Sequence, residues 1–196
     1  MRQNGKYTLS AVEVAALFPV GLPEKLATVQ REFGDEVYLV GGSIRDLLLG
    51  RPPGDVDLTV SCNAEQWAKR LRDLAGGTYV DLGREEDAAR VVLAQGPDVD
   101  FSSFRDGTKS MTEDLKKRDI TVNALAVPVH DLLAGHYKYN QEQDTLPIID
   151  PVGGLTDLEQ QRVRVVGKKS FSDDPLRMLR VFRFAAALDF TVEPET

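Results

Sequence analysis

Two aspartates, Asp55 and Asp57, flank a single residue in a run where Asp55, Asp57 and Thr59 alternate with Val56, Leu58 and Val60. Period-two alternation predicts a half-buried strand that turns both carboxylates to one wet face. Such a pair suits a hard divalent cation, because Mg²⁺ takes few protein carboxylates and fills its other positions with water and substrate phosphates. Asp-x-Asp taken alone is equally a polar strand face. The residues ahead of it add a second function. Val37-Tyr38-Leu39-Val40 reads as a short buried strand that stops at Gly41-Gly42, where Ser43 can cap a helix carrying Ile44, Leu47, Leu48 and Leu49. Bare amides at a helix start attract phosphate, and Arg45 stands one turn in. A phosphate cradle followed by metal-binding carboxylates is an arrangement for moving nucleotides.

A third acid is available in the later run Asp98-Val99-Asp100-Phe101. Two-metal phosphoryl transfer commonly uses three carboxylates, and spacing leaves Asp98 and Asp100 on the same face and both open. Lys117-Arg118-Asp119 and the following Asn123 gather donors and an acceptor that fit phosphate and ribose, or else a charged helix end closed by ion pairs. The run Asp173-Asp174-Pro175-Leu176-Arg177-Met178-Leu179-Arg180 lies in a strongly helical stretch from Ser172 to Leu188. On a continuous helix Asp174 and Arg177 share a face, either as an i,i+3 salt bridge or as an acceptor and a donor for the Watson–Crick edge of a base.

These residues need a scaffold, and 196 residues with 42% hydrophobic and 28% charged content supply enough for a real core. Helical patterns occupy residues 10–33, around a break at Pro19–Pro23, and residues 64–75. Thr78–Leu82, Arg90–Ala94 and Val99–Phe101 read as strands, and Thr121–Val127 as a returning one. A small sheet with helices on it results. Residues 131–147 read as an excursion loop, and Asp150-Pro151-Val152-Gly153-Gly154 as hinge-like punctuation, with a domain boundary near residues 150–170. Net charge is −7, but the stretch from Arg162 to Arg183 carries +5, which leaves −12 for the remainder. That asymmetry suits a polyanion-facing surface confined to one region. No apolar run approaches the ~20 residues of a membrane span, and the start lacks a signal peptide, so a cytoplasmic location without a membrane partner is expected. Cys62 is the only cysteine and His130 and His136 the only histidines, which argues against disulfides and Cys/His metal sites.

Taken in order, Leu39–Arg51 with its Gly-Gly-Ser-Ile-Arg-Asp, Asp55-Val56-Asp57, Arg118-Asp119-Ile120-Thr121-Val122-Asn123-Ala124-Leu125-Ala126, Asp150–Gly154 and Asp174–Arg180 closely resemble the bacterial (class II) tRNA nucleotidyltransferase and poly(A) polymerase family. The resemblance covers about residues 35–190. It implies an α+β fold: a head like that of DNA polymerase beta, with a small mixed sheet and flanking helices, followed by the start of a helical neck. The implied division is an N-terminal helical extension over 1–34, the head over 35–150, and the nucleotide-selecting neck from 151 to 196, with helical body and tail regions beyond it in family members. By the same resemblance Asp55, Asp57 and Asp100 hold two Mg²⁺ ions. Arg45 and Arg118 approach the triphosphate, Asp119 contacts the ribose, Asp174 and Arg177 form the template that selects C or A, and Gly41, Gly42, Ser43, Asn123 and Arg180 complete the nucleotide-binding set. The implied activity adds C and/or A from CTP and ATP to the tRNA 3′ end. Poly(A) polymerase and a noncatalytic RNA-binding fragment are the alternatives. Against poly(A) addition, Val91-Val92-Leu93-Ala94-Gln95-Gly96 stands where that branch resembles Gly-Arg-Arg-Phe. Three departures stand out: Lys117 where the family has Arg, Asp173 where it has Glu, and a short stretch between Phe104 and Asp114 where CCA-adding members carry a longer loop.

Overall fold

The computed structural model describes residues 2, 3, 6–34, 36–83, 87–135 and 145–196. Six strands form its main sheet: β1 (Val37–Val40), β2 (Asp55–Val60), β3 (Thr78–Gly83), β4 (Ala88–Val92), β5 (Asp98–Ser103) and β6 (Ala126–Pro128). Their spatial order is β3-β4-β5-β2-β1-β6. Every neighbouring pair is antiparallel except β2 and β5, whose parallel register sets Asp55 opposite Asp98 and Asp57 opposite Asp100. A slip of one residue would turn the acids into the core, so the buried valines and leucines that alternate with them fix the register.

Nine helices of the described residues surround this sheet: α1 (Ala11–Ala15), α2 (Leu22–Phe33), α3 (Gly42–Leu48), α4 (Ala64–Ala75), α5 (Met111–Leu115), α6 (His130–Leu133), α7 (Gly154–Glu159), α8 (Ser170–Asp173) and α9 (Arg177–Leu188). The apolar face of the sheet is closed by α4. Trp67 is fully buried there, with ring centroids 5.9 Å from Phe33 and 6.1 Å from Phe101. Burying such a side chain contributes about 2–3 kcal/mol. The first turn of α4 is capped from the sheet rather than from its own sequence: Ala64 and Glu65 amides donate to the Asp87 carboxylate, and Ala64 also to the Ser103 hydroxyl. With its apolar side thus covered, the sheet leaves the opposite face, with its acids, toward solvent.

Several local expectations are corrected. Ser43 does not cap α3; Gly41 occupies that position at φ +64° and ψ −127°, and the Ser43 side chain turns to β2 instead. The fourth strand runs from Ala88 to Val92 rather than from Arg90 to Ala94. Thr121–Asn123 is a single 3₁₀ turn, and only Ala126–Pro128 returns as strand. The helix expected over Ser172–Leu188 is split: Asp174 is extended at φ −150° and ψ 103°, as a residue before proline prefers, and α9 starts at Arg177. Most of the expected excursion loop, residues 136–144, and with it His136, lies outside the described residues.

Asp150–Gly154 is a packed joint rather than a free hinge. The Asp150 carboxylate accepts from the Gly154 and Leu155 amides at 2.8 and 2.9 Å and so caps α7. Gly154 lies so close to the Thr121 carbonyl that a Cβ would stand 2.2 Å from its oxygen. One apolar cluster runs from Leu9 to Phe190 through helices and sheet. Among the described residues no helix is long and apolar enough to cross a membrane.

Candidate active site

The polar face of the sheet forms the floor of a cleft of about 690 Å³, walled by the β1–α3 turn, the Arg118–Asn123 segment and α9. Gly41, Gly42, Ser43, Arg45, Asp55, Asp57, Asp100, Arg118, Asp119, Asn123, Asp174, Arg177 and Arg180 all line it. Asp98 is not among its lining residues, although it shares the strand face with Asp100.

The two acids of β2 differ in surroundings, contrary to the expectation that both stand in water. The Asp55 side chain is 43% exposed. Asp57 is largely enclosed: its amide donates to the Ser43 hydroxyl at 2.9 Å, and that hydroxyl lies 3.2 Å from Asp57 Oδ2. Burial, and then the neighbouring charge of Asp100, push the Asp57 carboxyl above its ordinary value, while Arg118 and Ser43 pull the other way. Thr59, expected on the wet face, is fully buried beneath Arg118. The turn requires glycine at Gly41, which stands at φ +64° and where a Cβ would lie 3.3 Å from Arg118 Nη1; a Cβ on Gly42 would make only ordinary contacts, at 3.5 Å, with Asp57 Oδ2 and the Arg45 guanidinium.

The cationic wall is held by groups outside the acid floor. Arg45 donates to Asn123 Oδ1 at 2.5 Å and to both oxygens of Asp46 at 2.9 and 2.8 Å. Arg118 is buried and donates to Thr59 and to Asp114, a fully buried carboxylate that Arg105 also grips. Burial and the like charge of Arg105 lower the Arg118 guanidinium to about 10, which leaves it cationic near neutral pH. Asp119 accepts from the Ile120 amide and from Arg180 Nε at 2.7 Å, tying α9 to the head. Arg177 donates to the carbonyls of Lys117 and Arg118, and its Nε is 3.8 Å from Asp174 Oδ2. The Asp174–Arg177 pair therefore forms across the break between α8 and α9 and not along one helix. Lys117 turns away from the cleft toward Asp106 at 3.7 Å.

Sequence reasoning gives no site role to Arg90, Arg105 or Phe184 and places Arg183 only within the polyanion-facing basic stretch; all four line the same cleft. Phe184 is ringed by the guanidiniums of Arg183, Arg180 and Arg45 at 4.6, 5.4 and 5.6 Å from its centroid. Arg90 could have been found by period two: buried Ala89 and Val91 flank it, so it must point to the acid face.

No group of three His, Cys, Asp and Glu side chains is gathered as a ready-made metal shell among the described residues. The donor set nonetheless fits a hard cation. Asp55, Asp57 and Asp100 supply oxygens from adjacent strands on one cleft floor, and the charge of Asp100 raises the cost of ionising Asp57, a cost a divalent ion would remove.

A small mixed sheet with carboxylates on two parallel neighbours, a glycine turn beside them and an arginine wall opposite is the architecture of a nucleotidyltransferase head. The chain belongs to the family of poly A polymerase head domains, whose model matches residues 37–164. It is 36% identical over 176 residues to the CC-adding tRNA nucleotidyltransferase of Geobacter sulfurreducens, covering 89% of this chain and 37% of that protein. To the CCA-adding enzyme of Streptococcus pyogenes serotype M2 it is 38% identical over 195 residues, with 91% and 43% covered. A solved complex of a CCA-adding enzyme with ATP superposes with a TM-score of 0.74 at 32% identity, over 96% of this chain and 42% of the other. The chain thus spans about two-fifths of the length of these relatives.

Proposed function

We propose that the protein is a metal-dependent RNA nucleotidyltransferase that adds C, A or both, from CTP and ATP, to the 3′ end of tRNA with release of pyrophosphate. The observation that carries this reading is the single cleft in which Asp55, Asp57 and Asp100 face Arg45, Arg118, Arg177 and Arg180. Relatives named for CC and CCA addition, one of them solved with ATP, support the choice of tRNA over poly(A) tails.

Asp55, Asp57 and Asp100 would hold two Mg²⁺ ions, which when bound activate the attacking hydroxyl and offset charge on the leaving group. The 3′ oxygen of the RNA attacks the α-phosphorus, the bond to the bridging oxygen breaks, and pyrophosphate departs. Arg118 serves the triphosphate as a charge already fixed by Asp114, and Arg45 as one aimed by Asn123 and Asp46. Asp119 would meet the ribose with the lone pairs that Ile120 and Arg180 leave it. Gly41 and Gly42 let the triphosphate approach the backbone, and Ser43 steadies Asp57.

Base choice falls to Asp174 and Arg177. C and A both present an exocyclic amine beside a ring-nitrogen acceptor, which one carboxylate and one guanidinium can satisfy together. U and G present a carbonyl and a ring N–H there, leaving both charges opposed. Asp174 suits this role because its Oδ2 is 3.8 Å from Arg177 rather than locked to it, and its side chain is 44% exposed. The test is incorporation of labelled CMP and AMP, with Mg²⁺, into tRNAs lacking one, two or three terminal nucleotides. Incorporation that depends on the missing residue supports the proposal; none with any tRNA contradicts it.

A further inference from the structure

Arg90 stands opposite Asp100 in the antiparallel register of β4 and β5, and its side chain reaches across the acid floor. Nε lies 2.6 Å from Asp100 Oδ1 and Nη2 lies 2.8 Å from Oδ2. The same Nη2 is 3.2 Å from Asp55 Oδ2, and Nη1 is 3.6 Å from Asp98 Oδ2. One guanidinium therefore spans three carboxylates on two strands, two of them assigned above to the divalent ions. The hydrogen bond to Asp100 and the charges of all three acids hold the guanidinium charged more firmly than a free one.

A guanidinium and a divalent ion compete for the same lone pairs. Mg²⁺ needs carboxylate oxygens at about 2.1 Å in near-octahedral order, whereas the bidentate fork fixes both Asp100 oxygens along two parallel N–H directions. Arg90 also has somewhere to go: its side chain is 31% exposed at the cleft wall, while buried Ala89 and Val91 anchor the strand without it. We propose that Arg90 is a built-in competitor of the divalent ion, offsetting part of the negative charge of the acid floor and lowering its metal affinity until it releases Asp100 and Asp55. This rests on the metal-dependent reading of the site. Asp57, which faces Ser43 rather than Arg90, stays clear of the competition.

Mn²⁺ serves as the probe, with free ion counted by electron paramagnetic resonance in metal-stripped protein without nucleotide or RNA. Removing the charge in Arg90→Gln should tighten Mn²⁺ binding about tenfold, while Arg90→Lys, which keeps it, should stay within about threefold of wild type. Asp57→Asn should weaken binding in every background, which ties the counted ion to the acid floor. A merely structural Arg90 would weaken binding in both Arg90 variants. Should Arg90→Gln fail to fold by circular dichroism, the wild type answers the question. Its Arg90 Nε–H resonance, assigned against Arg90→Lys, should shift during a Mg²⁺ titration with the midpoint of metal binding. Equal or weaker Mn²⁺ binding by folded Arg90→Gln, or an Arg90 resonance indifferent to bound Mg²⁺, overturns the inference and leaves the metal site standing. Absence of binding in wild type and variant alike overturns both.

Discussion

Asp157 on α7 is fully buried and Asp57 on β2 is largely enclosed at the cleft floor, and their surroundings treat them in opposite ways. Asp157 is fully buried and saturated: Arg162 donates to Oδ1 at 2.9 and 2.5 Å, Arg164 to Oδ2 at 2.9 Å, and the Thr121 hydroxyl to Oδ2 at 2.6 Å. Asp57 has the Ser43 hydroxyl and the more distant charge of Arg118, set against the repulsion of Asp100. A carboxylate with every lone pair answered acts as a pin, because no ligand can improve on its partners. A carboxylate left short of positive charge holds a standing demand for a cation. The contrast also assigns a task to the basic stretch from Arg162 to Arg183. Its first two arginines are spent on Asp157, and its last three turn to the cleft, to Phe184, the Lys117 and Arg118 carbonyls and the Asp119 carboxylate.

The comparison can be broken most severely at the pin. Asp157→Ala strands two guanidiniums and a hydroxyl, and should cost about 3–5 kcal/mol in a urea melt. It should also loosen Thr121, and with it the neighbouring Arg118–Asn123 wall. A loss under about 1 kcal/mol would mean that the arginines find water instead. Next in size, Gly154→Ala forces a methyl against the Thr121 carbonyl and should cost about 1–3 kcal/mol on the same measurement. Neutral behaviour would show that α7 can withdraw from the 3₁₀ turn. Smallest in energy is Asp174→Ala, which should lower discrimination against UTP and GTP about tenfold, roughly 1.4 kcal/mol, with little change in stability. A uniform loss of rate with unchanged preference would make Asp174 only a partner of Arg177.

Legibility in the sequence follows the same division. β2 was readable because alternation and register are one physical fact, and the long helices α2 and α4 because their apolar stripes repeat over three turns. Ser43 has the residue type of a cap but does not serve as one. Gly41, free to take positive φ, fills that place, and the hydroxyl is recruited by a strand twelve residues on. Asp174 fits a helix by the residue types around it, Asp, Leu, Arg and Met, yet Pro175 removes an amide and extends the residue before it. Asp98 and Asp100 are equivalent by period two, and only the placement of the cleft separates them. Partnerships across the fold, such as Arg90 over three acids or Asp114 between Arg105 and Arg118, leave no trace in local pattern. They depend on which strand lies beside which.

The central claim, that the undersupplied Asp57 belongs to the reaction centre and the saturated Asp157 is scaffold, is tested most directly by measuring transfer and melting on the same protein. For Asp57→Asn, labelled CMP and AMP incorporation into tRNA lacking its terminal nucleotides should fall to background. Its melting temperature should equal or exceed that of wild type, because a neutral amide relieves the crowding by Asp100. Retained transfer, or a loss of transfer that merely follows a lowered melting temperature, would contradict the account.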